Sequence, residues 1–263
     1  MHVLDGASGG ALPPVVLLHG FSSAGVDFYP LLQRLKPRVS RIIAPDMPGH
    51  GFSDTPRQGL NPGTMRAGLL ETLDAVVDEP VVLFGNSMGG LAAIHYALAR
   101  PEKVRGIVLC SPGGAAMSEP DLARFLDTFR VERHRDALTF VDRLLAEPNR
   151  LRHMLAWGVR RKFSNPNMRS LLASVSSDDL LRPEELAALV APILLLWGAV
   201  ERILPRGHLD FFREHLPAHA AFAEPEGFGH SPYLERPGAV TRRILDFLHD
   251  VERPGTSSPN RAA

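Results

Sequence analysis

The stretch Val81-Val82-Leu83-Phe84-Gly85-Asn86-Ser87-Met88-Gly89-Gly90 constrains this chain more than any other. An apolar run of strand length meets a segment with helical spacing (Met88, Leu91, Ala92, His95), and Gly-x-Ser-x-Gly sits at the junction. So abrupt a turn forces its central residue into strained backbone geometry, and small neighbours at Gly85 and Gly89 relieve the crowding. The expectation is that Ser87 is pushed out into solvent. Its hydroxyl then lies at the amino end of the following helix, where unpaired N–H groups favour developing negative charge. Taken alone, such a pentapeptide also arises by chance, and paired glycines also serve only to let a helix lie close to a sheet. The setting carries the weight, because Val81 to Phe84 reads as a buried parallel strand.

Other short apolar runs are Val15 to Leu18, Ile42 to Ala44, Ile107 to Cys110, Ile193 to Trp197 and, more weakly, Ala220 to Ala223. Between them lie segments of helix length: Arg66 to Val77, Ser87 to Ala99 and Leu209 to His215. Val240, Ile244, Phe247 and Leu248 give the last helix an apolar stripe. This alternation predicts an α/β fold, a mostly parallel twisted sheet with helices on both faces. Functional groups on such sheets gather in loops beyond the carboxyl ends of the strands.

The loop after the first run is His19-Gly20-Phe21-Ser22-Ser23. Gly20 lets the backbone turn, so that the N–H of Phe21 points to the same spot as the N–H of Met88, and two converging donors suit a tetrahedral oxyanion. His19 reads as a supporting histidine; a packed turn explains His19-Gly20 equally well. The loop Asp46 to Asp54 combines glycines and a proline, and its composition accounts for Asp46 and His50 structurally. Past Ile193 to Trp197, Glu201 lies beyond a strand end. Glu226-Gly227-Phe228-Gly229-His230 then presents, of eleven histidines, the one best placed to reach Ser87. A serine hydroxyl needs a base near pKa 7, and that base needs a carboxylate to fix its tautomer. Ser87, His230 and Glu201 supply those roles, with Phe21 and Met88 as the oxyanion donors.

Residues 112–190 lack a clear apolar strand and read as amphipathic helices. Leu122, Phe125, Leu126 and Phe129 fit one face, as do Leu138, Val141, Leu144 and Leu145. The expected organisation is a core formed by 1–111 and 191–251, a helical cap inserted at 112–190, and a Pro/Ser/Gly-rich flexible tail at 252–263. Between Arg150 and Lys162 there are five Arg/Lys and no acid, which reads as a solvated face or as an attractor of an anionic substrate group.

Composition narrows the partners. Lys and Arg (29) balance Asp and Glu (29), so nothing electrostatic calls for nucleic acid or an anionic membrane. The single Cys110 excludes an internal disulfide, and no Cys/His spacing suggests a metal. With no signal peptide and no apolar stretch of bilayer length, a cytoplasmic protein is expected.

His19-Gly20-Phe21, the loop Asp46 to Asp54, Gly85 to Gly90, Trp197 to Pro205 and Gly227 to Pro232 together resemble the alpha/beta-hydrolase fold family. The resemblance implies a Ser-His-acid hydrolase without a cofactor and a helical cap where the insertion falls. Two departures stand out. Glu201 occupies a place where relatives usually carry Asp, and the other acid position known in the family holds Cys110-Ser111-Pro112. Only fourteen residues precede Val15, too few for the full opening hairpin, so six or seven strands are expected, with His2-Val3-Leu4 as a stub. Asn86 to Gly90 and Ser111 to Gly114 are also similar to the carbon–carbon bond hydrolases that cleave products of aromatic ring fission, although His230-Ser231-Pro232-Tyr233 lacks their usual Trp. A carboxylic esterase is the first expectation. A C–C hydrolase and a non-catalytic ligand-binding member of the fold are the alternatives.

Overall fold

Seven strands, β1 (Val3–Ala7), β2 (Val15–Leu18), β3 (Arg41–Pro45), β4 (Val81–Ser87), β5 (Val104–Pro112), β6 (Ile193–Leu196) and β7 (Ala221–Ala223), form one sheet in the order β1-β3-β2-β4-β5-β6-β7. The computed structural model describes residues 1–253. All neighbouring pairs are parallel except β1 with β3, where Val3 lies opposite Pro45 in antiparallel register. The stub expected at His2 to Leu4 is thus a real edge strand, tied down by bidentate hydrogen bonds from Arg41 to Asp5.

Among the described residues, eleven α-helices accompany the sheet: α1 (Tyr29–Leu35), α2 (Pro62–Val76), α3 (Met88–Ala99), α4 (Glu119–Asp127), α5 (His134–Leu144), α6 (Arg152–Phe163), α7 (Pro166–Ser174), α8 (Pro183–Ala187), α9 (Arg206–His215), α10 (Pro232–Glu235) and α11 (Pro237–Glu252). Successive strand residues point to opposite faces, which sorts the core into two halves. Val16, Leu18, Leu83, Ile107 and Leu109 pack with α2, α3, α8 and α9. Val15, Leu17, Phe84 and Val108 pack with α1 and α11 through Leu31, Leu35, Val240 and Ile244.

Several boundaries differ from the sequence expectation. β5 runs through Pro112, so the helical segment starts later than 112. At its other end Leu181, Leu186 and Leu189 join the main core beside β6. α4 to α7 instead contribute to a second small core around Phe129, Phe140, Val141 and Phe163, which Ile203 and Phe21 join from the loops after β6 and β2. In α5 the buried stripe is Ala137, Phe140 and Val141, with Leu138 and Leu144 at its margin. α11 extends through Glu252, so the expected tail begins no earlier than 253. The rest of that tail lies outside the described residues.

Candidate active site

β4 ends and α3 begins at Ser87, with no residue between them. Ser87 takes φ 56°, ψ −121°, a left-handed backbone that a non-glycine residue adopts only under constraint. The constraint is close packing. A Cβ at Gly85 would fall 2.2 Å from the Gly89 carbonyl oxygen, and one at Gly89 would fall 2.0 Å from that of Leu18. Both glycines are therefore required by backbone contact, as the sequence suggests. Ser87 itself is only 7% exposed. The turn does not push it into bulk solvent; it faces a cavity of about 500 Å³.

That cavity is bounded on one side by Met88, Leu91, Ala92 and His95, one stripe of α3, while Ala93, Ile94, Tyr96 and Ala97 point into the protein. Phe125 and Phe129, from the helical segment, line it as well.

His230 and Glu201 meet. The imidazole Nδ1 lies 2.8 Å from Glu201 Oε2, and the other carboxylate oxygen accepts the N–H groups of Ile203 (2.7 Å) and Leu204 (3.1 Å). The extra methylene of glutamate is absorbed in this way: the side chain folds back over its own turn, which holds the carboxylate. Burial works to raise the Glu201 carboxyl, but the His230 charge, the His230 hydrogen bond and the two N–H groups outweigh it and hold the group below the ordinary carboxylate value. A proton on Nδ1 shared with Glu201 leaves Nε2 as the acceptor of the ring. No hydrogen bond joins Ser87 Oγ to His230 among the described residues.

Asn86, not singled out in the sequence, links these parts. Its Nδ2 donates to the carbonyls of Cys110 (3.0 Å) and His230 (2.7 Å), and its Oδ1 accepts from Ser231 Oγ (3.2 Å). The residue before Ser87 thus fastens the histidine loop to the end of β4. The available signal was a polar residue in a strand buried throughout.

Of the two expected donors, Met88 directly follows Ser87 and Phe21 lines the same cavity. Met88 opens α3, so its N–H has no partner within the helix. Gly20 brings the other loop against the serine: a Cβ there would sit 3.3 Å from Ser87 Cβ. The N–H of Phe21 makes no hydrogen bond to a described residue. His19 is fully buried behind this loop, accepting the Met47 N–H on Nε2 (2.9 Å) and donating Nδ1–H to the Gly20 carbonyl (2.9 Å). Burial depresses its pKa, with the Gly20 bond opposing, so it stays a neutral strut. Asp46 is equally occupied, accepting from Gly25 N, Phe52 N and His2 Nδ1.

Residues 15–243 match the model of the alpha/beta hydrolase family. The chain belongs to that family. Among its curated relatives, a pimeloyl-[acyl-carrier protein] methyl ester esterase from Xanthomonas oryzae pv. oryzae is 30% identical over 255 residues, covering 91% of this chain and 96% of the relative. An esterase from Thermogutta terrifontis has a similar structure, with TM-score 0.74 and 24% identity over 95% of this chain and 94% of that one. So does a 2-hydroxy-6-oxo-6-phenylhexa-2,4-dienoate hydrolase from Rhodococcus, with TM-score 0.78 and 21% identity over 94% and 99%. At those identities the two structures bear on the fold. This alpha/beta hydrolase has relatives among esterases, and it shares its architecture with hydrolases of ring-fission products.

Proposed function

We propose that this alpha/beta hydrolase is a serine esterase that cleaves carboxylic esters of small molecules through an acyl-enzyme on Ser87. The observation that carries the reading is the buried Glu201–His230 contact, fastened through Asn86 to the strained turn that bears Ser87. The esterase relative at 30% identity favours esters over a carbon–carbon bond as the substrate.

In this reading Ser87 Oγ attacks the acyl carbonyl and His230 Nε2 takes its proton, while Glu201 holds the opposite N–H and balances the imidazolium charge. The N–H groups of Met88 and Phe21 receive the carbonyl oxygen as it becomes negative, each worth about 3 kcal/mol of barrier. His230 then returns the proton to the departing alkoxide. Water, deprotonated by the same imidazole, attacks the acyl-enzyme and frees the acid. The Ser87–His230 hydrogen bond forms as substrate fills the cavity, since such bonds tighten in the Michaelis complex. No step calls for a cofactor. The helices α4 to α7 serve as the cap over Ser87 and shape the acyl site, with Phe125, Phe129 and Leu171 lining the cavity.

The test compares chromogenic esters of several chain lengths with a vinylogous 1,5-diketone, using the wild type and Ser87→Ala. Ester turnover should fall at least about 10⁴-fold in the variant, with negligible diketone cleavage. Equal rates in the two proteins would remove Ser87 from the mechanism. Covalent labelling of Ser87 by a fluorophosphonate separates a working esterase from a binding protein of the same fold.

A further inference from the structure

The cavity beside Ser87 has two chemically different ends. Around the serine its walls are apolar, formed by Met88, Leu91, Phe125 and Phe129. Farther along α3 the lining turns polar at His95, where Arg66 of α2 joins it. Ser87 immediately precedes α3 and His95 lies eight positions on, so at 1.5 Å per residue the two ends are about 12 Å apart along the helix.

Burial, helped by the Arg66 charge, pushes the His95 imidazole down to about 4. At neutral pH it is therefore an uncharged hydrogen-bonding group beside a cation. Three acids share this end, and two are engaged locally. Asp179 accepts from the N–H and hydroxyl of Ser176, while Glu185 accepts the Arg182 N–H and pairs with its guanidinium. Asp178 is exposed at the rim. Arg66, by contrast, has no ion pair or hydrogen bond with any described residue, although it lines the cavity. Arg66 is exposed, so its guanidinium stands unpaired at the solvent-facing end of the apolar channel, where its donors match a carboxylate entering from within.

We infer that the Arg66–His95 end is a subsite for a carboxylate at the far terminus of the acyl chain, so that half-esters of linear diacids are preferred to esters of simple fatty acids of equal length. The inference rests on the esterase reading of Ser87. An extended chain advances about 1.2 Å per bond, so a gap of about 12 Å spans on the order of ten bonds between the ester carbonyl and the terminal carboxylate.

The experiment measures kcat/KM for monomethyl esters of linear diacids from about six to twelve carbons, beside methyl esters of the matching monoacids and ω-hydroxy acids. The ratio of half-ester to neutral ester should peak at about tenfold or more near the upper part of the series, and Arg66→Gln should bring it close to one. A ratio of one or below at every length, a ratio unmoved by Arg66→Gln, or an equal gain from ω-hydroxy esters would overturn the subsite. Binding is read separately by titrating the best half-ester into Ser87→Ala and into Ser87→Ala with Arg66→Gln. Weakening of about tenfold by the second substitution supports the subsite even if the wild type cleaves no ester, a result that would sink only the esterase reading. Equal binding would refute the subsite even in an active esterase.

Discussion

Glu201 joins its roles through two oxygens. One faces His230, and the other is held by the N–H groups of Ile203 and Leu204. The carboxylate cannot swing away from the ring without leaving two buried donors unpaired. In Glu201→Gln the side-chain amide keeps the shape but can present its NH₂ to Nδ1, which favours the wrong imidazole tautomer. Steady-state assays should show kcat lowered by about 10³- to 10⁴-fold with KM little changed. A loss below about threefold would exclude Glu201 as the orienting acid. That Glu201 and His230 would meet was legible from their order and from loops lying beyond strand ends. The role of Asn86 was not, because its partners at Cys110 and His230 lie far along the chain.

The turn from β4 to α3 tolerates no added carbon, and that is testable against a neighbour that does. In Gly89→Ala the new methyl would meet the Leu18 carbonyl, a sheet atom that cannot retreat. The expected cost is at least about 3 kcal/mol in urea unfolding. Gly158, within α6, has nothing within 4 Å of a Cβ, so Gly158→Ala should add about 0.5–1 kcal/mol. Similar shifts in the two variants would refute the steric account. At this scale the sheet was readable because every central strand contains an unbroken apolar run of three residues or more. Strand ends were harder: β4 and β5 continue through Asn86-Ser87 and Ser111-Pro112, where polar residues are buried for the sake of the site. α2 begins at Pro62, four residues before the expected start. Asn61 caps it by accepting the Thr64 N–H, an Asn-Pro signal that was available in the sequence.

Across the whole molecule, four histidines are held neutral by burial: His19; His50, pushed down to about 3; and His95 and His208, each pushed down to about 4. The unfolded chain takes up these protons near the ordinary value of 6.5, before the folded chain does. Their contribution is therefore intact above about pH 6.5 and is lost as the pH falls toward 4. The loss is up to about 1.4 kcal/mol per pH unit for each proton. Thermal unfolding followed from pH 7 to pH 4.5 should show a steady fall in Tm, and a flat profile would contradict the burial argument. The overall architecture was legible from the alternation of strand and helix patterns. The cavity was not, since Arg66, His95, Phe125 and Leu171 come from four separate helical segments whose meeting no local pattern announces.

The position of the insertion has one more consequence. β5 and β6 are parallel neighbours, with Ile107 opposite Ile193, so the chain leaving Pro112 at the carboxyl end of the strands must come back to their amino end before β6 can pair. The helices that line the cavity are part of that return path, and Leu181, Leu186 and Leu189 anchor its final leg in the main core. On the esterase reading proposed above, evolution can exchange α4 to α7 to change what is hydrolysed, but it cannot discard the whole excursion without stranding β6. Cavity lining and sheet assembly are inherited on the same piece of chain, and a chimaera that respects both should be joined on the near side of Leu181.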